Sequence, residues 1–177
     1  MNLPRFLVDE AIVLKRTNYG EADRLVTILT KNYGRLTVLA KGVRKLNSKK
    51  SAHLEPFTYT KVNILGGYSL PLITQAQTVD SYNSIRGNFD STKLAFRIME
   101  LVEKLTIEGE SYPHVFEELA QALTGIESGQ GSKPADQFLA SFLSSMGYGN
   151  VKGLSSNQIE TFLEKILDRK LSSSAMV

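Results

Sequence analysis

The hydrophobic pattern changes period once, near Asp80, and that change limits the fold of this 177-residue chain more than any other feature. Before it, aliphatic and β-branched residues alternate with polar ones in five stretches, residues 8–17, 24–30, 35–41, 56–65 and 72–79. Alternation with period two puts one face of each stretch toward a core, the mark of a half-buried strand. Asn18-Tyr19-Gly20, Asn32-Tyr33-Gly34 and Gly66-Gly67 supply the turns. Residues 42–54 are polar and basic and read as a loop. Five short strands at this spacing suit a small closed module, with an OB-type barrel as the leading candidate because five strands close its edges. A five-stranded SH3-like barrel fits the same pattern. Phe57 and Tyr59 share strand parity and are expected inside the barrel, whereas Tyr33, in a turn, is expected to be exposed.

After Asp80 the apolar residues recur at helical spacing. Leu94, Ile98, Leu101, Val102 and Leu105 define a helix over 90–106, with Asp90 or Ser91 as its N-cap. A second helix begins at Pro113 and stops near Gly125, and a third covers 135–146. Ser155 or Ser156 is placed to cap a fourth, which carries Ile159, Phe162, Leu163, Ile166 and Leu167. The expected fold is therefore α+β: a five-stranded barrel over 1–82, followed by a domain of about four helices over 83–177.

Charge divides along the same line. Residues 1–86 hold 13 Lys/Arg against six Asp/Glu, while residues 87–177 hold eight against 12. The densest stretch carries Lys31, Arg35, Lys41, Arg44, Lys45, Lys49 and Lys50, with no Asp or Glu from 31 through 54. Such a cluster attracts phosphates. A solvated basic loop that maintains solubility is the plainer alternative. Tyr19, Tyr33, Phe57, Tyr59 and Tyr68 are the aromatics on which bases could stack.

Signals for catalysis are weak. The chain has no cysteine, which excludes disulfides, thiolate zinc sites and cysteine nucleophiles. Its two histidines, His53 and His114, have no Ser/Asp partners at a motif spacing. Gly66-Gly67 reads as a turn and not as a phosphate loop. Glu21 and Asp23 sit beside Arg24 in a turn region and suit an ion pair or turn hydrogen bond better than acid–base work. The expectation is a protein that is not an enzyme, with no cofactor and no metal. No run approaches the roughly 18 apolar residues of a membrane span. Met1-Asn2-Leu3-Pro4-Arg5-Phe6 has no apolar signal core, so no membrane association and a cytoplasmic location are expected.

The residues from Glu10 to Thr30, with A-I-V-L followed by Y-G-E-A-D-R-L, resemble the RecO family of bacterial recombination mediators. The resemblance continues through Tyr33-Gly34-Arg35-Leu36, Ala40-Lys41-Gly42-Val43-Arg44, Leu54-Glu55-Pro56-Phe57 and the strand from Leu72 to Ala76. In the helical part it takes in 100–105, 108–110 and 169–173. Many members carry a four-cysteine, zinc-finger-like insertion. Here Gly149–Gly153 leads almost directly to the last helical stretch, so the chain resembles a shortened, metal-free form.

The resemblance implies a protein of DNA damage repair and recombination. It would bind single- and double-stranded DNA, anneal complementary strands, and act with RecR to load RecA onto DNA coated by single-strand-binding protein, whose C-terminal tail is a further implied partner. Arg24, Arg35, Lys41 and Arg44 fall on matching motif positions as phosphate contacts; Lys31, Lys45, Lys49 and Lys50 rest on charge alone. Gly20, Gly34 and Gly42 are expected to serve backbone geometry. The competing reading is an interaction module whose basic loop meets an acidic partner tail, with no DNA function of its own.

Overall fold

A computed structural model of the chain describes residues 3–149, 158 and 161–163. They form two compact units. The first holds the described residues up to Tyr82 together with Thr106–Ala120, and the second holds Asn83–Leu105 and the described residues from Gln121 onward. Residues 106–120 return to the barrel and bond to it.

The first unit is a closed barrel of five strands: β1 (Phe6–Tyr19), β2 (Asp23–Thr30), β3 (Gly34–Ala40), β4 (Tyr59–Leu65) and β5 (Leu72–Asp80). Their order around the ring is β1-β2-β3-β5-β4, the OB-type arrangement expected from the sequence. β1 is long because it serves both ends of the ring. Phe6–Ile12 pairs with β4 and Ala11–Tyr19 pairs with β2, and a bulge between Val13 and Lys15 bends the strand from one partner to the other. The alternating residues Leu7, Ala11, Val13, Val26, Ile28, Leu36, Val38, Val62, Ile64 and Ile73 fill the interior. Leu54, from a single 3-10 turn over Ala52–Leu54, joins that core.

β3 and β5 meet at one parallel register pair, Leu39 with Leu72, and by the Leu39 amide donating to the Pro71 carbonyl at 2.8 Å. The rest of that edge of β3 is covered by residues 106–110. Arg35 and Glu108 form a parallel bridge, and the Gly109 amide donates to the Arg35 carbonyl at 2.9 Å. The Thr37 amide donates to Oε1 of Glu108 at 3.0 Å. Gly34, at φ +71°, lies so close to this segment that a Cβ there would stand 1.7 Å from the Glu110 carbonyl oxygen.

The second unit contains α1 (Asn83–Arg86), α2 (Phe89–Leu105), the second half of α3 (Pro113–Glu127) and α4 (Lys133–Ser145). α2 is capped by Asn88, whose Oδ1 accepts the Ser91 amide at 2.9 Å, and not by Asp90 or Ser91. Those two lie inside the first turn, where an acceptor one residue ahead of the helix meets the orphan amide. Ile98, Leu101, Val102, Leu139, Phe142 and Leu143 are fully buried. Phe138 and Phe142 stack with ring centres 5.5 Å apart. Of the expected fourth helix, Gln158 and Thr161–Leu163 are helical. Its other positions, the 150–153 junction and the motif at 169–173 lie outside the described residues.

Candidate nucleic-acid interface

The outer face of the barrel follows from the same alternation as its core. In β4, Thr60, Val62 and Ile64 point inward and are fully buried, so Lys61 and Asn63 point outward. They pair across the strands with Gln77 and Gln75, and Asn63 Nδ2 donates to Gln75 Oε1 at 2.7 Å. The loop after β3 borders this face. It is shaped by Asp23, whose carboxylate accepts the Gly42 amide at 2.7 Å, and by the Arg44 amide donating to the Ala22 carbonyl at 2.9 Å. The turn hydrogen bond expected for the Glu21–Asp23 region is therefore present at Asp23.

Between loop and sheet runs a groove of about 810 Å³, whose lining includes Lys41, Lys49, Lys50, Lys61, Asn63 and Gln75. No Asp or Glu lines it. None of its four lysines forms an ion pair among the described residues. Lys50 reaches across to donate to the Ile73 carbonyl at 3.1 Å. Burial pulls its ammonium below the ordinary lysine range, partly opposed by the nearby Asp23 carboxylate. Chemically, the groove offers ammonium donors and side-chain amides to an elongated polyanion, with no aromatic ring among its lining residues.

The eight cations singled out from the sequence separate into three groups. Lys41, Lys49 and Lys50 meet in the groove. Arg44 and Lys45 are exposed on the same loop, and Arg44 Nη1 donates to the Gly20 carbonyl at 3.1 Å. Arg24, Lys31 and Arg35 are engaged within the protein. Arg24, its side chain only 14% exposed, pairs with Glu55 at 3.2 Å, and Arg16 pairs with the other oxygen of that carboxylate at 3.0 Å. Lys31 stands 3.4 Å from Glu117 and 4.0 Å from Glu10. Arg35 donates through Nε and Nη2 to the Thr106 carbonyl and through Nε to its hydroxyl, at 3.1–3.3 Å.

Two aromatic expectations are corrected. Phe57 is buried, but its φ of +72° takes it out of strand geometry, so Tyr59 does not share its face. Tyr59 lies on the outer side, where its hydroxyl donates to Glu10 at 2.8 Å and its ring meets Phe116 edge-on at 5.6 Å. Burial, and then the Glu10 carboxylate, push its phenol up to about 12. Tyr33 is partly buried against the barrel core and not exposed. His53 Nδ1 accepts the Thr78 amide at 3.2 Å and lies 2.7 Å from the Thr78 hydroxyl, which fastens the 3-10 turn to β5. Among the described residues no three His, Asp or Glu stand together as metal ligands. No helix there is long and apolar enough to cross a membrane. Lys61, Asn63, Gln75 and Gln77 escaped the charge-based reading; Lys61 and Asn63 alternate with the buried residues of β4, while Gln75 and Gln77 share the parity of buried Ile73 and are turned outward by the bulge between Ile73 and Gln75.

Fold and face together define an OB-type barrel protein with a cationic outer groove and a helical unit. The family description "Recombination protein O N terminal" matches residues 5–82, and "Recombination protein O C terminal" matches residues 86–150. The chain belongs to the recombination protein O family. It is 40% identical over 124 residues to the DNA repair protein RecO of Shouchella clausii, covering 70% of this chain and 48% of that protein. It is 34% identical over 151 residues to the DNA repair protein RecO of Dehalococcoides mccartyi strain BAV1, covering 84% and 59%. The chain spans about half the length of the curated relatives it matches.

Proposed function

We propose that this chain is a DNA-binding repair and recombination protein that acts by holding strands and not by covalent chemistry. The observation that carries this reading is the groove, where Lys41, Lys49, Lys50 and Lys61 converge without a carboxylate. Lysines placed this way gain most from a phosphate backbone, because binding releases the counterions condensed on DNA. Amide side chains beside them offer hydrogen bonds to phosphate and sugar oxygens without demanding one sequence. Membership of the family, whose relatives are named as DNA repair proteins, supports the same direction.

A surface that neutralises phosphates also lowers the repulsion between two strands, so binding of single- and double-stranded DNA leads to annealing, for which base pairing supplies the driving energy. The mediator role, loading RecA with RecR onto DNA coated by single-strand-binding protein and contacting the tail of that protein, is the larger reading within which this binding would serve. The test replaces Lys41, Lys49 and Lys61 by Gln together and titrates DNA at several salt concentrations. The slope of log K against log salt should fall by roughly 0.7–0.9 for each lost contact, with annealing slowed in parallel. An unchanged slope would remove the groove from the assignment.

A further inference from the structure

We infer that the tip of the β1–β2 hairpin is a second nucleic-acid site, one that takes an unpaired base by stacking it on Tyr19. The inference rests on the reading that the barrel binds DNA, and adds to it a site of different chemistry. From Lys15 to Tyr19 every residue of β1 is exposed, while its partner strand runs on to Asp23. Within this projection Lys15, Thr17 and Tyr19 alternate on one face, and Arg16 and Arg24 reach Glu55 from the other. Tyr19 is 49% exposed, a large aromatic surface turned to water at the end of a two-stranded ribbon.

One cation is held at the turn that follows it. The Arg44 guanidinium is anchored on the carbonyl of Gly20, the residue next to Tyr19, and the Arg44 backbone is tied to Ala22. Lys45 follows, exposed, and Leu46 is fully exposed on the same loop. An aromatic face with arginine and lysine at its border is the arrangement that binds single strands, the ring meeting a base and the cations meeting the flanking phosphates. The groove lacks the ring and therefore cannot tell paired from unpaired strands in this way. The tip can, because a base inside a duplex gives both faces to its neighbours. A strand would therefore let go of Tyr19 as it pairs, while its backbone stays on the groove lysines.

The experiment uses the full chain with Tyr19→Ala and Tyr19→Phe, a short oligothymidylate bearing one 2-aminopurine, and a blunt duplex of the same length. Tyr19→Ala should weaken single-strand binding roughly five- to hundred-fold. It should also abolish the change in 2-aminopurine fluorescence and leave duplex binding unchanged, while Tyr19→Phe keeps wild-type behaviour. Equal weakening on both DNAs, or none on either, overturns the site. The Lys41/Lys49/Lys61→Gln protein is run alongside. If it weakens both DNAs while Tyr19→Ala weakens neither, the tip site falls and the DNA-binding reading stands. If neither variant changes anything, both fall.

Discussion

Arg35 shows how a cation in a basic barrel can be structural. Its guanidinium is spent on the Thr106 carbonyl and hydroxyl, and its own carbonyl accepts the Gly109 amide. Arg24 is similar: it shares Glu55 with Arg16, and its Nε is buried without a partner among the described residues. Turning such a side chain toward a phosphate would first break bonds that hold the chain together. Arg35→Ala should therefore lower unfolding stability by about 1.5–3 kcal/mol, the range for hydrogen bonds from a charged group. Urea denaturation checks the loss. The same protein, kept below its transition, should retain the wild-type salt slope for DNA. A slope reduced by a full contact would instead return Arg35 to the interface.

At the scale of elements, the weak place in the barrel is the β3–β5 seam, and residues 106–110 close it. Glu108 does with a carboxylate what a neighbouring strand would do with a carbonyl, accepting the Thr37 amide. An edge left open there would be a template for pairing with another chain. Glu108→Ala should speed hydrogen exchange at the Thr37 amide and its neighbours in β3 while β4 stays protected; equal protection in both proteins would show that the carboxylate does not close the edge. The seam was not legible in the sequence, because 106–110 has no period and its bonds reach back 71 residues to β3. The strands were legible, since each buries one face and the alternation records it directly. Tyr59 was misplaced for a local reason: the left-handed backbone at Phe57 breaks the count of two on which parity depends. The site divided the same way. The cations from Arg24 to Lys50 could be read from the sequence, but the carboxylates that engage Arg24 and Lys31, Glu55 and Glu117, come from distant positions. Which lysines are left for a ligand is thus a property of the fold.

For the molecule as a whole, the role proposed for the groove would set stability against binding, and Lys50 is where the two would meet. Its ammonium is held below the ordinary lysine range by burial. The unfolded chain, with an ordinary lysine near 10.5, therefore keeps the proton to higher pH than the folded one does. Below the folded value the charged form is present in both states and its desolvation weighs against folding. As pH rises through the folded value toward 10.5, that penalty disappears and the fold gains stability. Tyr59 acts in the opposite sense: its stabilisation is complete below 10 and is lost as pH climbs to about 12, so the two windows overlap only between 10 and 10.5. A bound polyanion reverses the balance at Lys50, because phosphate favours the ammonium and draws the proton back. Lys50→Met keeps the aliphatic stem and removes the charge. Thermal melting from neutral pH up to the lysine range should show the wild type gaining on this variant without DNA. With DNA present the wild type should lead already at neutral pH. The variant's salt slope should be smaller by roughly 0.7–0.9, one phosphate contact. A constant difference between the two proteins across the pH range, with and without DNA, would mean that Lys50 is neither desolvated by the fold nor used by the ligand.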